Sequence, residues 1–454
     1  MPEALVMGGL FGTAEMRELF SDRHRVARMA EVEAALARAE AGLGIVPAAA
    51  AAAIDEAART ASLDLEAIAR SAAVVGYPVI GLTKALAVAA GPEAGRWVHW
   101  GATTQDILDT AVMLQVRDGL RLLERDLVRA VRGFAALAAR HRDSPMAGRT
   151  HLQHALPITF GYKVAVWMQP LLRLVEQFRM APSRLCTLQF AGAVGTLAAL
   201  GRDGGAVHAA LAAELDLPAS PTPWHVDRLR LAEVVSLLGL LGGALSKIAT
   251  DVILLMQTEV AEVSEPHQSG RGGSSTMPQK RNPIASEYII AAARGVQAVV
   301  PIMLAAMAQD HERATGPWQS EDLALPQAFI LSAGALMHTC SLAEGLVVDT
   351  ARMRANLDAT RGLIMAEAAM MGLAGRMGRD AAHHAVQQAC DKAIAGGKSL
   401  SEALGAEPEI AALMSPAEIA SLLDPASYLG RAGEIVDAVV TAANGICDST
   451  GGVG

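Results

Sequence analysis

The chain contains 454 residues, of which 52% are apolar and only 4% aromatic, and its formal net charge is −9 at pH 7. This charge argues against nucleic acid or an acidic membrane as a bulk partner, so anion binding is expected only at a local site. The four cysteines are widely spaced without a CxxC pair. That spacing argues against a disulfide framework and a zinc site and predicts buried free thiols.

The mean hydropathy of +0.30 is high, but no uninterrupted apolar run reaches the ~18 residues that a membrane span needs. The apolar excess therefore predicts helices that are buried on every side and extensive contacts between subunits. The N-terminal sequence MPEALVMGGLFG has no basic stretch before its apolar residues. No secretory signal is predicted, and a cytoplasmic location is expected.

Alanine and leucine dominate the composition, which favours helix over sheet. Two short helices are predicted between residues 14 and 44, the second beginning after Ser21-Asp22 and ending at Gly42 and Gly44. Residues 97–110, WVHWGATTQDILDT, follow with a candidate anion site. Thr103 or Thr104 can cap a helix that begins near Gln105, and the positive end of a helix attracts anions. His99 is either a buried structural histidine or part of this site.

Long helices are predicted wherever apolar residues recur at helical spacing without proline. The first runs from Gln105 to about residue 142 and would be a rod of roughly 55 Å. Three others cover about 159–180, 227–262 and 284–307, the last kinked at Pro301. The C-terminal region is predicted to hold one helix over about 362–391, shorter helices broken at Gly396-Gly397 and Pro408, and a disordered STGGVG end.

Residues 148–161, GRTHLQHALPITFG, place polar and titratable side chains between two apolar rods. So many polar groups in one connection are seldom needed for packing, which favours a functional role over a structural one. The candidates in this segment are Arg149, Thr150, His151 and Gln153.

Residues 270–283, GRGGSSTMPQKRNP, carry the strongest signal for chemistry. Its glycines allow a loop that moves, so Ser274 and Ser275 are expected on a mobile segment. The prolines restrict the half that contains Lys280 and Asn282. A movable hydroxyl beside fixed cationic and amide donors suits proton transfer next to an anion. A phosphate-binding loop would need the pattern GxxxxGK[ST], which is absent, and a plain linker seldom has this composition.

Residues 309–322, QDHERATGPWQSED, contain one further candidate. Arg313 precedes a Gly-Pro turn and can hold a carboxylate, although a surface salt bridge explains it equally well.

Three of these segments resemble the signatures of the fumarase/aspartase superfamily. Residues 273–282 match its G-S-S-x-M-P-x-K-x-N loop completely, and residues 150–157 match T-H-x-Q-x-A-x-P. The resemblance implies that Ser274 is the catalytic serine, that Lys280 and Asn282 bind a substrate carboxylate, and that Glu287 orients the active-site histidine, His151. Ser275 and Met277 of the same loop are expected to bind substrate.

The segment with His99 is similar to the superfamily motif H-x-G-x-T-S-x-D-x-x-D-T. In that motif the histidine and the threonine contact substrate, which implies this role for His99 and Thr103. Thr104 replaces the usual serine, so the hydroxyl is kept and a methyl group is added.

The resemblance also implies an all-α fold of three helical domains, with a central long-helix bundle that assembles into a homotetramer. The expected domains are residues 1–110, residues 111–350 with the signature loop at 270–283, and residues 351–454. Active sites would form where segments of different subunits meet. Neither a metal nor a cofactor is implied, and the expected partner is a small dicarboxylate or tricarboxylate.

Superfamily members move a proton at the carbon α to a carboxylate through an aci-carboxylate intermediate. Within it, the chain resembles the branch of adenylosuccinate lyases and carboxymuconate cycloisomerases. Two features of the lyases are missing: Leu10-Phe11-Gly12 replace an Arg-Tyr pair ahead of Met16, and Gly76-Tyr77-Pro78 stand near a usual His-Asp pair.

These two departures favour a cycloisomerase that lactonises 3-carboxy-cis,cis-muconate or another 3-substituted muconate in aromatic catabolism. An adenylosuccinate-type lyase that releases fumarate is the alternative. A non-catalytic helical protein that retains the fold is the third possibility, from a different functional class.

Overall fold

The computed structural model describes residues 5–266, 277 and 279–448 of the chain. Most of this part is helical, which confirms the predicted all-α class. The helices are α1 (Leu5–Phe11), α2 (Ala14–Leu19), α3 (Asp22–Gly42), α4 (Ala48–Thr60), α5 (Leu65–Val75), α6 (Val79–Ala90), α7 (Thr104–Arg140), α8 (Phe160–Leu185), α9 (Gly204–Glu214), α10 (Leu229–Met256), α11 (Ile284–Ala305), α12 (Glu321–Gly345), α13 (Thr350–Asp358), α14 (Ala366–Met377), α15 (Arg379–Gly396), α16 (Leu400–Ala406), α17 (Pro408–Ala411), α18 (Pro416–Leu422) and α19 (Ala432–Asp448).

Four short strands form two antiparallel pairs within the described residues. Strand β1 (Pro145–Thr150) pairs with β2 (Gln153–Thr159), and β3 (Val263–Ser264) pairs with β4 (Val347–Val348). The first pair is a hairpin that occupies the polar segment 148–161, for which the sequence predicted no strand. The serines of the signature loop, Ser274 and Ser275, lie outside the described residues, as does the STGGVG end.

The chain divides into two compact units. Unit 1 comprises Met1–Leu127, Leu174–Ser246 and Tyr288–His338, and unit 2 comprises Val128–Arg173, Lys247–Glu287 and Thr339–Gly454. The borders fall inside long helices, so neither unit is one continuous stretch. The expected division into three domains stays a prediction.

The four predicted long helices are present as α7, α8, α10 and α11, with bounds a few residues from those expected. Helix α7 has 37 residues and is therefore roughly 55 Å long. Its apolar face is buried, and Leu114, Leu120 and Leu127 have no exposed surface. Helix α3 begins where predicted, because the Ser21 hydroxyl accepts a hydrogen bond from the backbone N–H of His24.

Within unit 1, helices α10 and α11 approach closely at small residues. A Cβ atom at Gly239 would lie 2.9 Å from Val300, and one at Gly242 would lie 3.3 Å from Ala293. The absence of side chains at these two glycines therefore lets Ala293 and Val300 of α11 pack directly against the backbone of α10.

Within unit 2, helices α14 to α18 enclose a small apolar core of their own, which includes Leu373, Val386, Leu400, Leu404 and Ile410. The single helix predicted over about 362–391 is wrong. It is interrupted at Gly378, which takes a positive φ of 86° that ends α14 before α15 begins. The reason is local, because glycine adopts this backbone conformation without a steric cost.

Three helices are long and apolar enough to cross a membrane by length and composition alone: Leu229–Met256, Ile284–Ala305 and Trp318–Gly345. The expectation that no stretch would qualify is therefore wrong. It counted only uninterrupted apolar runs, whereas a helix with one or two charged residues per eighteen still meets the hydropathy that a span requires.

The predicted free thiols are present. Cys186, Cys340 and Cys447 are buried and Cys390 is half-buried, all without a disulfide. Burial raises the pKa of the Cys186 thiol to about 12, so this group is unreactive at neutral pH.

Candidate active site

His99 in unit 1 is held by a buried carboxylate. Its Nδ1 atom lies 2.6 Å from Oε1 of Glu33, whose side chain is fully buried on α3. His99 has a positive φ of 64°, a conformation that costs energy for any residue with a Cβ atom and often marks functional positions. Burial alone would lower the pKa of His99, but the hydrogen bond to Glu33 and the charges of Glu33 and Asp106 raise it. The imidazole is therefore disposed to carry a positive charge.

Thr103 and Arg313 meet in the same unit, at the start of α7. The Arg313 guanidinium donates hydrogen bonds to the Thr103 hydroxyl (3.2 Å) and to the backbone carbonyl of Ala193 (2.9 Å). Thr104, the first residue of α7, is half-buried beside them. Cationic and hydroxyl groups thus lie together at the positive end of a long helix, an arrangement that suits a carboxylate.

The candidates of unit 2 lie on the hairpin between α7 and α8. Thr150 and Gln153 form the last pair of the ladder, so His151 and Leu152 are the two central residues of the turn. Both have positive φ values, 50° and 63°, as a type I′ turn requires. This turn normally uses Asn-Gly, so His151-Leu152 is a strained choice. Both side chains are exposed, Leu152 to 73%.

Arg149 anchors the base of this hairpin. Its guanidinium makes a two-pronged ion pair with Glu262, at 2.9 and 2.7 Å, and the Glu262 side chain is fully buried. Asn356 donates a further hydrogen bond to the same carboxylate at 2.8 Å. Such paired hydrogen bonds fix the guanidinium plane. Arg149 thus fixes the hairpin in this structure, while its predicted contact with substrate stays a prediction.

The described end of the signature loop leads into α11. Met277 and Lys280 are exposed and Asn282 is half-buried, while Glu287 is exposed in the first turn of α11. Glu265 accepts hydrogen bonds from the backbone N–H groups of Ala285 and Ser286, both at 2.9 Å, and from the Ser286 hydroxyl. A carboxylate at this position stabilises the helix start.

Glu265 thereby sets the direction in which the chain enters α11, and Lys280 and Asn282 directly precede this entry. The predicted partnership of Glu287 with His151 stays a prediction, since both side chains are exposed.

Each unit contains a sizeable cavity. The cavity of unit 2, about 370 Å³, is lined by Arg149 and Thr150 together with Lys163 and the ion pair of Lys247 with Asp251. Burial lowers the pKa of Lys163. The cavity of unit 1, about 500 Å³, lies beside a stacked pair of rings, Tyr77 and Trp318. Among the described residues, no group of three or more His, Cys, Asp or Glu side chains could hold a metal ion.

Comparison with known proteins identifies the family. A family model described as lyase matches residues 11–298, and one described as adenylosuccinate lyase C-terminus matches residues 362–439. The chain belongs to the lyase family. The predicted membership of the fumarase/aspartase superfamily is thereby confirmed.

Two curated relatives and one solved structure illustrate how similar this lyase is to known enzymes. It is 50% identical to the 3-carboxy-cis,cis-muconate cycloisomerase of Pseudomonas aeruginosa, covering 95% of both chains. It is 47% identical to the enzyme of the same name from Bradyrhizobium diazoefficiens, covering 96% of this chain and 97% of that one. A 3-carboxy-cis,cis-muconate lactonizing enzyme from Pseudomonas putida matches with a TM-score of 0.93 at 44% identity, covering 97% and 99% of the two chains.

Asp106 is a residue that sequence reasoning missed. This buried carboxylate of the lyase accepts hydrogen bonds from the backbone N–H groups of Thr103 and Gly192, at 3.0 and 2.9 Å. It also accepts one from Ala191 (2.9 Å) and lies 2.8 Å from Nε2 of His225. Asp106 therefore joins the segment with His99 to residues 191–192 and to His225. Its presence in the matched motif was the signal that could have identified it.

Arg228, three residues after His225, forms a second buried network in unit 1. The structure shows it almost completely buried between two carboxylates, with bonds of 2.8 and 2.9 Å to Asp109 and of 2.8 and 2.5 Å to Glu321. Burial alone would lower the pKa of Arg228, but Asp109 and Glu321 raise it strongly. The guanidinium therefore stays charged and ties α7, α12 and the start of α10 together.

Unit 1 thus brings His99, Thr103, Thr104 and Arg313 to the start of α7. Unit 2 places Arg149, Thr150, His151 and Gln153 on one hairpin. It carries Lys280, Asn282 and Glu287 at the start of α11. The predicted roles of all these residues in binding or catalysis stay predictions.

Proposed function

We propose that the chain is a cycloisomerase that converts 3-carboxy-cis,cis-muconate, or a closely related 3-substituted muconate, into its lactone. One carboxylate oxygen of the substrate forms a C–O bond to the carbon of the other double bond that is β to a second carboxylate, which closes a five-membered ring. The π electrons move to the carbon α to a second carboxylate, which becomes an aci-carboxylate. Protonation of this carbon completes the lactone, so the product carries one negative charge less than the substrate.

The observation that carries this proposal is the likeness over the whole chain to enzymes of this name, at 47% and 50% identity. The matched region covers at least 95% of both chains and therefore includes every segment that contains a predicted site residue. The chain is an enzyme, an isomerase of the lyase superfamily.

The site chemistry supports a small substrate with several carboxylates. Lys280 and Asn282 stabilise the extra negative charge of the aci-carboxylate, the kind of electrostatic assistance that contributes several kcal/mol. His99, Thr103 and Arg313 bind a further carboxylate, and Ser274 or His151 supplies the proton. Because the attacking group belongs to the substrate, the site needs anion-binding groups and a proton donor but no separate nucleophile.

An adenylosuccinate-type lyase is the second candidate, and two places in unit 1 argue against it. Where those lyases carry an Arg-Tyr pair, Phe11 packs edge-on against Tyr288 with ring centroids 5.1 Å apart. Near the position of their His-Asp pair, Tyr77 stacks on Trp318 at 5.5 Å. Aromatic packing thus takes the place of the charged groups that a nucleotide phosphate needs. A non-catalytic role is disfavoured because Ser274, Lys280 and Asn282 are all present.

The enzyme is further proposed to be a cytoplasmic homotetramer. Its apolar helices α10 and α11 expose large apolar side chains, among them Leu240 on α10 and Leu304 on α11, at 62% and 52%. Burial against other copies of the chain removes such surface from water without a membrane. Sedimentation is expected to give a tetramer, and a stable, active monomer at micromolar concentration would refute the assembly.

An absorbance assay tests the reaction directly. Purified protein is expected to remove the conjugated diene of 3-carboxy-cis,cis-muconate and to release no fumarate from adenylosuccinate. The opposite result would refute the proposal: an unchanged diene, together with a kcat/KM for adenylosuccinate near ~10⁴ M⁻¹s⁻¹ or above, which is ordinary for an enzyme.

A further inference from the structure

Helix α3 carries two buried carboxyl groups that the proposed reaction does not use. Glu33 and Glu40 are exposed to only 1% and 0%. Seven residues apart, they lie on the same face of the helix, two turns from each other. Ionisable groups are rarely buried so completely without a partner.

The two carboxyl groups differ in what they contact. Oε1 of Glu33 is 2.6 Å from Nδ1 of His99, which makes Glu33 the acceptor of a charge-assisted hydrogen bond. Both oxygens of Glu40, in contrast, have no hydrogen-bond partner among the described residues, and the same holds for Oε2 of Glu33. An ionised carboxylate in the position of Glu40 would carry an uncompensated buried charge.

The surroundings of Glu40 are apolar. Between the two acids, Ala37 belongs to a buried cluster against which Trp97 and Val98 pack, so the segment before His99 lies along this face of α3. The charged and titratable groups on the neighbouring elements are engaged elsewhere or exposed. Asp55 of α4 and Glu214 of α9 both pair with Arg38, and His208 of α9 binds the Phe190 carbonyl. The exposed groups are Glu56, Arg59, Lys84 and Arg96. Glu33 is thus the charged group that acts on the Glu40 carboxyl.

We propose that Glu33 and Glu40 act as a buried carboxyl pair behind His99, in which Glu40 keeps a proton and Glu33 carries the single negative charge. Glu33 is then a positioning residue: it fixes the Nδ1–H of His99 and leaves the other ring nitrogen for the substrate carboxylate. Glu40 keeps the pair from holding two negative charges. The role toward substrate rests on the proposed function, whereas the protonation of Glu40 does not.

This assignment predicts a pH dependence of stability. Burial, and then the negative charge of Glu33, raise the pKa of Glu40 to about 8 from an ordinary value of 4.5. Between these two values the folded protein holds a proton that the unfolded chain has lost. Stability from this group is therefore fully present below the ordinary pKa and is lost as the pH rises through about 8. Glu40→Gln cannot ionise and removes this loss.

Infrared spectroscopy of the full-length protein tests the protonation without any substrate. The carbonyl stretch of a protonated carboxyl group is expected in the wild type at pH 6, absent from Glu40→Gln, and lost from the wild type between pH 7 and 9. The urea midpoint of the wild type is expected to fall more between pH 6 and 9 than that of Glu40→Gln. Glu56→Gln on the exposed side of α4 is the matched control and should leave both signals unchanged.

Steady-state kinetics test the positioning role of Glu33. In Glu33→Gln the hydrogen bond to His99 remains but the negative charge is gone, so the histidine loses its proton at lower pH. The rise of KM with pH is expected to begin about one pH unit lower, while kcat changes by less than about twofold. Glu56→Gln should again behave as the wild type.

Two results would overturn the inference: spectra of wild type and Glu40→Gln that agree at pH 6, or a pH profile of KM that Glu33→Gln leaves in place. If the wild type does not convert the muconate at all, the proposed function fails, and the infrared and urea measurements still decide the protonation of Glu40.

Discussion

His99 and His151 are the two histidines of the matched motifs, and their surroundings in the structure differ. His99 bonds to a buried carboxylate, while His151 is exposed at the tip of a hairpin. Both have positive φ values, so each is held in a conformation that the residue itself disfavours. The two histidines differ in what holds this backbone conformation. The buried carboxylate of Glu33 holds His99 within unit 1, whereas the backbone ladder of the hairpin holds His151.

This contrast indicates that the two histidines have different roles. A group that is preorganised by buried partners suits the binding of a fixed charge. An exposed side chain on a rigid turn suits contact with something outside its own unit, such as the substrate or another copy of the chain. The following variants test how far the two regions depend on different interactions.

The largest effect is expected from removing a buried ion-pair partner in unit 1. Arg228→Ala would leave Asp109 and Glu321 as buried, unpaired carboxylates, which typically lowers the free energy of unfolding by about 3–5 kcal/mol. The nearby Arg230→Ala is the matched control, because the ion pair of Arg230 is with the exposed Asp227, and such pairs contribute about 0–1 kcal/mol. Urea unfolding measures both. Equal losses for the two variants would show that the Arg228 network does not stabilise the fold.

The next largest effect concerns the proton donor. Ser274→Ala is expected to fold normally and to lower kcat by at least ~10²-fold, the lower end for the loss of a general acid or base. Ser275→Ala, which removes the neighbouring hydroxyl, is the control and should cost less. Turnover of more than about half the wild-type value in Ser274→Ala would make this serine a bystander and assign the proton to His151 or Ser275.

Asparagine at each histidine compares the two regions directly, since asparagine tolerates a positive φ. His99→Asn leaves the buried Glu33 without its partner and is expected to destabilise the fold by about 1–3 kcal/mol. His151→Asn loses no buried contact, so the stability should change by less than about 0.5 kcal/mol, while kcat falls at least about tenfold. Circular dichroism melts and steady-state kinetics separate these outcomes. Similar stability losses in both variants would contradict the contrast.

Sequence reasoning was successful where one residue type has one physical role. Helical spacing of apolar residues predicted α7, α8, α10 and α11 within a few residues of their ends, and Ser21 was expected at the start of α3. The candidates around His99 and Lys280 were identified from a possible helix cap at Thr103 or Thr104, from the glycines and prolines of residues 270–283, and from the resemblance of both segments to family motifs. These predictions needed only local pattern.

What the sequence did not show depends on contacts between distant segments. The pairing of Glu33 with His99 spans 66 positions, and that of Arg149 with Glu262 spans 113. The charge of a residue does not identify its partner. The hairpin of β1 and β2 was missed for a local reason, because His151-Leu152 lacks the Asn or Gly that normally marks a tight turn.

That unusual turn gives the smallest expected effect. Leu152 has a φ of 63° and a side chain that is 73% exposed, so its Cβ atom adds strain to the turn with little burial in return. Leu152→Gly removes this strain and is expected to raise the free energy of unfolding by about 0.5–1 kcal/mol. Val166→Gly, at a helical residue exposed to 46%, is the control and should lower it by a similar amount.

Urea unfolding gives the stability of both variants, and sedimentation gives their assembly. A gain at Leu152 with an unchanged assembly would show that the turn is strained and that its leucine is free of contacts. A loss of stability in Leu152→Gly would contradict the strain argument. It would mean that the leucine is buried against another copy of the chain, and that the hairpin tip is fixed by its neighbour rather than by its own ladder.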